Sequence, residues 1–289
     1  MYAVTAATGQ FGRLVVEALK QRVDASQIVA IVRDPSKAAD LGVEIRQADY
    51  TDPAGLEAAL KGVEKLLLIS ASDFERLPKH RNVVNAAKAS GVKFLAYTSL
   101  LNADRWTLPP FDQHSPTEAL IRSSGIPYTF LRNGWYTENN TSNLGPALAY
   151  GSIMGAAGDG RIAWASRRDL AEAAAAVLAS DGHEGRTYEL GGDSALTMND
   201  LAAEVARQSG KAVTYVNAPK ADYAAFLVKV GLPAPVADMV AAVDADAVPA
   251  GLLDTDSNDL SNLIGRPTTP ISDTIAAALE AEQASGSAT

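Results

Sequence analysis

The feature that most constrains this chain is a series of short apolar segments that recur through its first half, spaced by helix-like sequence. Residues 28–32 form a β-branched run, 43–45 alternate at the sheet period, and 66–69 are continuously apolar. Residues 1–4, 94–98 and 128–131 complete the set. A strand with no polar face must be covered on both sides, which is the condition of a parallel sheet. The intervening segments carry helix punctuation. Asp52 and Pro53 suit the N-cap and first position of a helix running to Lys61 and stopped at Gly62; residues 78–90 end at Gly91, and a third helix ends at Ser124 before Gly125. Strand, helix and strand in repetition imply right-handed crossovers and an α/β fold: a doubly wound parallel Rossmann sheet with a smaller C-terminal α/β lobe.

The rhythm changes after Asn133. Residues 134–160 are rich in Gly, Asn and Ala, and Thr197 to Asp200 form a capping-box pattern before a helix that stops at Gly210. The sequence therefore predicts a Rossmann domain over 1–133 and a smaller lobe over 134–289. Strands near 150–165 and 187–190 are expected to rejoin the main sheet. A ligand is expected in a cleft between the lobes, at the carboxyl ends of the strands.

Composition removes several classes of function. The chain has 289 residues and a net charge of -9, which disfavours nucleic acid or an anionic membrane surface as partner. No apolar run approaches the ~18 residues needed to span a bilayer. The first strand begins almost at Met1, leaving no room for a signal peptide, so a cytoplasmic protein is expected. Cysteine is absent and the three histidines, His80, His114 and His183, have no metal-ligand spacing, so neither thiolate chemistry nor a metal is expected.

The turn between the first strand and the first helix reads Thr5-Ala6-Ala7-Thr8-Gly9-Gln10-Phe11-Gly12. A helix N-terminus offers unpaired N–H groups and partial positive charge to a diphosphate. Gly9 lets the backbone approach it and Gly12 lets the helix pack on the sheet. Ala6 stands where a dinucleotide fingerprint has its first glycine; if that position needs positive φ, the methyl costs about 1 kcal/mol. Ala6, Thr8, Gly9, Gln10, Phe11 and Gly12 are thus candidate cofactor contacts. Arg33 follows the second strand where an NAD-binding protein would place an acid, and its charge and fork suit a 2′-phosphate. The expected cofactor is NADPH.

The chemistry has an informative gap. No Tyr-x-x-x-Lys pair follows Ser99, so the usual acid for protonating a carbonyl oxygen is missing. His114 is the one nearby group that titrates near neutrality; it either hands on a proton or orients the following helix. A quinone needs no dedicated acid, because the anion left by hydride addition is stabilised by its ring. The gap therefore favours quinones, enones or cationic dyes over plain alcohols and ketones. Residues 131–139 follow a strand end, and Trp135 and Tyr136 offer flat faces to a flat ring, or else serve as core. Asn133, Gly134 and Asn139 add amides and backbone there. Ser70, Ala71 and Ser72, after the fourth strand, can reach the cofactor.

With these residues in place, the chain resembles the NmrA-like branch of atypical short-chain dehydrogenases. The resemblance rests on the segments TAATGQFG, ASQIVAIVRDPSKA, RQADYTDP, GVEKLLLIS, GVKFLAYTSLL, PYTFLRNGWYTEN, GAAGDGRIA, GHEGRTYEL and LIGRPTTP, from residue 1 to about 270. It implies NADPH on the Thr8–Phe11 turn with Arg33 at the 2′-phosphate, further contacts from 70–72 and 134–139, and hydride transfer to a quinone-like acceptor. Reduction of triarylmethane dyes or activated alkenes, and an NADP(H)-sensing regulator without turnover, are the alternatives it leaves open. Ala6 departs from the family's usual glycine.

Overall fold

A computed structural model describes residues 1–286. It divides into two units, one of Met1–Asn133, Arg167–Leu190 and Asp259–Arg266, the other of Gly134–Ser166, Gly191–Asn258 and the segment from Pro267 onward.

The first unit is built on seven parallel strands: β1 (Tyr2–Val4), β2 (Ile28–Val32), β3 (Glu44–Gln47), β4 (Lys65–Leu68), β5 (Phe94–Leu100), β6 (Tyr128–Asn133) and β8 (Arg186–Leu190). Their order is β3-β2-β1-β4-β5-β6-β8, so the winding reverses between β1 and β4. Val4 pairs with Ala30 on one side and Leu67 on the other. Every residue of β2 and β5 is buried, which is why β2 reads as an unbroken apolar run; β5 carries Thr98 and Ser99 at its carboxyl end.

Helix α1 (Gln10–Lys20) follows β1 and α2 (Pro53–Ala59) precedes β4. The Asp52 side chain accepts from the Gly55 N–H at 3.1 Å with Pro53 at the first position, and α2 ends a residue or two before the sequence suggested, with Gly62 at φ +76° beyond it. Helix α3 (Arg76–Ala89) starts two residues early, and α4 (His114–Ser124) ends at Gly125, φ +81°. The helix Arg167–Ala179 completes the unit; Arg266 fastens the 259–266 segment to it by ion pairs of 2.7 Å to both Asp169 and Glu172.

The second unit holds a two-stranded parallel sheet, β7 (Ser152–Gly155) with β9 (Thr214–Asn217). This corrects one expectation: of the strands expected to rejoin the main sheet, 186–190 lies in it but the 150–165 region does not. β7 is half-buried rather than apolar throughout, so it lacks the pattern of a strand covered on both faces. The remainder of that region makes isolated bridges, Ile162 with Leu196 and Tyr136 with Ala165. The helix Met198–Ser209 carries its capping box, with Thr197 and Asp200 bonded reciprocally.

One polar cluster crosses the core of the first unit. Arg132 on β6 donates to both carboxylate oxygens of Glu118 at 2.9 Å, and to Glu189 at 2.8 Å and Asp104 at 2.7 Å. The Glu118 side chain is 1% exposed and that of Asp104 65%. Removing a buried partner strands a charge, whereas an exposed one is screened. Glu118→Ala should therefore lower unfolding free energy by about 3 kcal/mol, and Asp104→Ala by under about 1 kcal/mol, as read by urea denaturation.

Candidate functional site

The residues singled out in the first unit line the carboxyl edge of the sheet on either side of the point where the strand order reverses. Thr5 leaves β1 and binds β4 three ways: its N–H and hydroxyl donate to the Leu67 carbonyl at 3.1 and 3.2 Å, and its hydroxyl accepts from the Ile69 N–H at 3.0 Å. The next residue turns sharply. Ala6 has φ +49°, and its carbonyl accepts from the Gly9 N–H at 3.0 Å. A left-handed alanine is strained where glycine would not be. Gly9 is the N-cap of α1 in extended conformation, and no side chain caps the helix. No acidic residue sits in the first turn, so the positive end of the helix dipole is not offset from within α1. Ala6, Gly9 and Gln10 are exposed, Thr8 is half-buried, and Phe11 and Gly12 form the buried floor. A Cβ on Gly12 would come within 2.4 Å of the Ala6 carbonyl oxygen and 2.8 Å of Ala7 Cα, so that position admits only glycine.

Arg33 directly follows β2. Its backbone is held by the Gln47 amide, which donates to the Arg33 carbonyl at 3.0 Å; its guanidinium is exposed and has no bonded partner among the described residues. The neighbouring acid is committed elsewhere. Asp34 accepts from both the hydroxyl and the N–H of Ser36, at 2.6 and 3.1 Å, and these bonds hold its carboxyl below its usual range. The cation is thus available to a ligand and the acid is occupied, the arrangement that suits a phosphate over a ribose hydroxyl.

After β4 the chain is pinned by two side chains from neighbouring elements. The Ser70 N–H donates to Thr98 Oγ1 at 2.8 Å, and the Ala71 N–H donates to His80 Nε2 at 2.9 Å. His80 looks like an unremarkable helical residue in the sequence. Its role comes from a contact nine residues away that no local pattern announces.

His114 is where the structure corrects the sequence reading. Its side chain is 3% exposed, and both ring nitrogens are engaged, Nε2 with Arg76 at 2.7 Å and Nδ1 with the Tyr97 hydroxyl at 2.8 Å. Burial, reinforced by the Arg76 charge, drives its pKa well below the ordinary histidine value. Its one ring proton and its one lone pair are both bonded inside the fold, so His114 orients this network rather than facing a ligand. Ser99, the candidate hydroxyl of a conventional catalytic set, donates to Glu118 at 2.7 Å and belongs to the Arg132 cluster.

Asn133 ends β6. Its carbonyl accepts from the Leu101 N–H at 3.0 Å, but its side chain, in a residue 4% exposed, has neither amide atom hydrogen-bonded among the described residues. Such a group costs about 1–3 kcal/mol, and a fold keeps it where a ligand completes it. Gly134 through Asn139 follow immediately and belong to the second unit. There the Trp135 carbonyl accepts from the Ala165 N–H at 3.0 Å and the Thr137 N–H donates to the Ala165 carbonyl at 3.1 Å, fixing the backbone around Tyr136. Gly134 is buried, Trp135 and Tyr136 are half-buried, and Asn139 is exposed. Among the described residues no helix is long and apolar enough to cross a membrane.

The chain belongs to the NmrA-like family, whose model matches residues 2–261. It is 57% identical to Quinone oxidoreductase 2 of Escherichia coli (strain K12) over 95% of this chain and 97% of that protein. Among solved structures it resembles the Escherichia coli NADPH-dependent quinone oxidoreductase in complex with NADPH, with TM-score 0.93, 56% identity and coverage of 96% and 99% of the two chains. It also resembles the Citrobacter sp. triphenylmethane reductase complexed with NADP(H), with TM-score 0.93, 41% identity and coverage of 96% and 100%. The residues of this chain fit such a cofactor on their own geometry, through the uncapped start of α1, the available Arg33 and the orphaned amide of Asn133.

Two outcomes follow. Ala6→Gly should raise stability by about 1 kcal/mol by relieving the left-handed alanine, and Gly12→Ala should lower it by more than about 2 kcal/mol, both measured by chemical denaturation. The second concerns acid. Burial holds His80 down to about 3, and His114 is also lowered, so the folded chain stays deprotonated at both while the unfolded chain takes up protons below about 6.5. The contribution of these two imidazoles is then full well above pH 6.5 and falls as pH drops, by about 2 kcal/mol for His80 at pH 5; His114→Gln should make the acid loss shallower, as read by urea denaturation at pH 7 and pH 5.

Proposed function

We infer that this chain is an NADPH-dependent quinone oxidoreductase, reducing a quinone-like acceptor to the quinol. The observation that carries the reading is the 57% identity with Quinone oxidoreductase 2 over nearly the full length of both chains. The uncapped start of α1 at Gly9 supports the reading. When bound, NADPH supplies the hydride. The α1 N-terminus and the backbone of Thr8 to Phe11 hold the diphosphate. Arg33 would pair with the 2′-phosphate. Residues 70–72 and the Asn133 carboxamide hold the remainder of the dinucleotide, with Gly134 and Asn139 contributing beyond β6.

Trp135 and Tyr136 hold the acceptor ring by its faces. No side chain is asked to protonate it. The oxyanion left when a quinone accepts hydride is delocalised over its ring and takes its proton from water, so each turnover consumes one NADPH, one quinone and one proton. This agrees with a buried, neutral His114 and with the absence of a Tyr-x-x-x-Lys pair downstream of Ser99. The same scaffold suits cationic dyes, a second reading favoured by the 41% identity with a triphenylmethane reductase. The reading includes a cytoplasmic location and a small-molecule acceptor.

NADPH oxidation followed by absorbance against a benzoquinone, a naphthoquinone, a triarylmethane dye and an enone tests this, with NADH alongside. Turnover should be fastest with quinones, and kcat/KM should favour NADPH over NADH by at least about tenfold; Arg33→Ala should erase most of that preference. Trp135→Ala should raise KM for the quinone about fivefold or more while leaving the NADPH Kd within about twofold. Failure to turn over any quinone would overturn the assignment.

A further inference from the structure

We propose that His80 is a positioning residue for the dinucleotide, acting by fixing the Ser70–Ala71 peptide. The proposal rests on the reading above, that residues 70–72 touch NADPH. It comes from the direction in which every hydrogen bond around His80 must run.

A backbone N–H can only donate, so the bond from Ala71 requires a lone pair on His80 Nε2. The ring proton therefore sits on Nδ1, which donates to Thr117 Oγ1 at 3.0 Å. The Thr117 hydroxyl spends its own proton on the Gln113 carbonyl at 2.8 Å. Thr117 is thus an acceptor towards His80 and fixes its tautomer. The second histidine repeats the logic. Arg76 can only donate, so His114 Nε2 accepts and its Nδ1–H goes to the Tyr97 hydroxyl. The Tyr97 ring meets the His80 ring edge-on, centroids 5.4 Å apart and planes at 69°, so the imidazole is held in orientation as well as protonation. His80 is fully buried, and the network that fixes it draws on α3, α4 and β5.

The consequence falls on two successive peptides. The Ile69–Ser70 peptide is fastened on both sides, its N–H to Thr98 and its carbonyl by the Tyr50 hydroxyl at 2.8 Å. The Ser70–Ala71 peptide is fastened through its N–H alone. In a trans peptide the carbonyl points opposite to the N–H. His80 therefore turns the Ser70 carbonyl away from α3, and among the described residues no group donates to that oxygen. A rigidly held, unshared acceptor at the carboxyl edge of the sheet suits a hydroxyl donor, and a dinucleotide carries such donors on its riboses. Without the His80 acceptor the peptide is free to rotate, and the ordering cost falls on binding.

The test compares the wild type with His80→Phe, His80→Gln and Thr117→Val at a temperature where each is folded, confirmed by thermal unfolding. NADPH Kd is read by fluorescence titration, and KM and kcat are read with a naphthoquinone. Phe keeps the ring and removes the acceptor, so NADPH Kd should rise about tenfold, with KM rising more than kcat falls. Gln offers an acceptor at the reach of Nε2 and should bring Kd back to within about threefold of wild type. Val at 117 removes the group that sets the tautomer and should raise Kd at least about threefold, which decides the matter if His80→Phe does not fold. A lowered melting temperature with NADPH Kd within about twofold of wild type in both His80→Phe and Thr117→Val would overturn the proposal, as would a Gln variant no better than Phe. A wild type that binds no NADPH would overturn the cofactor reading and this role together, whereas variants matching a wild type that binds would overturn this role alone.

Discussion

The hydrogen bonds of one buried threonine hold the place on which the site depends. Thr5 ties the end of β1 to β4 through its N–H, its hydroxyl proton and its hydroxyl lone pair. These are the two strands between which the order of the sheet reverses. From that clamp the chain diverges into the turn before α1 and the loop before α3. A parallel sheet brings its strand ends to a common edge, and at the reversal the loops leave in opposite directions and open a crevice for a ligand. Arg33, the Ala6–Gly12 turn, residues 70–72 and Asn133 all lie along this edge because each ends or follows a strand of the sheet.

The site retains features that a fold selected for stability alone would remove. Ala6 is held left-handed. The Asn133 amide is buried without a partner, and Arg33 stands exposed beside an acid committed to a turn. Each is costly or neutral to the folded chain and useful to an anionic, amide-bearing ligand. Behind them two polar clusters are internally paired. Glu118 and Arg132 are paired, and each histidine of the His80 and His114 network has both nitrogens bonded. Paired groups behind an incomplete rim are how a protein prepares a binding surface before the ligand arrives.

Much of the fold was legible in the sequence because its cause is local. A strand covered on both faces must be apolar at every position, so residues 28–32 and 66–69 could be read directly, and Gly62, Gly91 and Gly125 marked helix ends by needing positive φ. The place of Arg33 was legible because it directly follows a strand. The short strand β7 was misassigned because a half-buried pair of strands leaves the same faint pattern whichever partner it takes. His114 and His80 were not legible as they are. Their protonation is set by Arg76, Tyr97, Thr117 and Ala71, residues up to 38 positions away, and no spacing rule connects them. The sequence likewise pointed to Asn133 by position, whereas the unpaired state of its amide is visible only in three dimensions.

The central claim, that this sheet edge is kept incomplete for NADPH, is tested most directly at Asn133. Leucine there replaces an unsatisfied amide by an apolar group of similar volume. The decisive measurement is urea unfolding of wild type and Asn133→Leu without ligand, paired with NADPH titration of both. The account predicts a variant at least as stable as wild type that binds NADPH about tenfold or more weakly. A variant that is markedly less stable, or one that binds NADPH as well as wild type does, would contradict it.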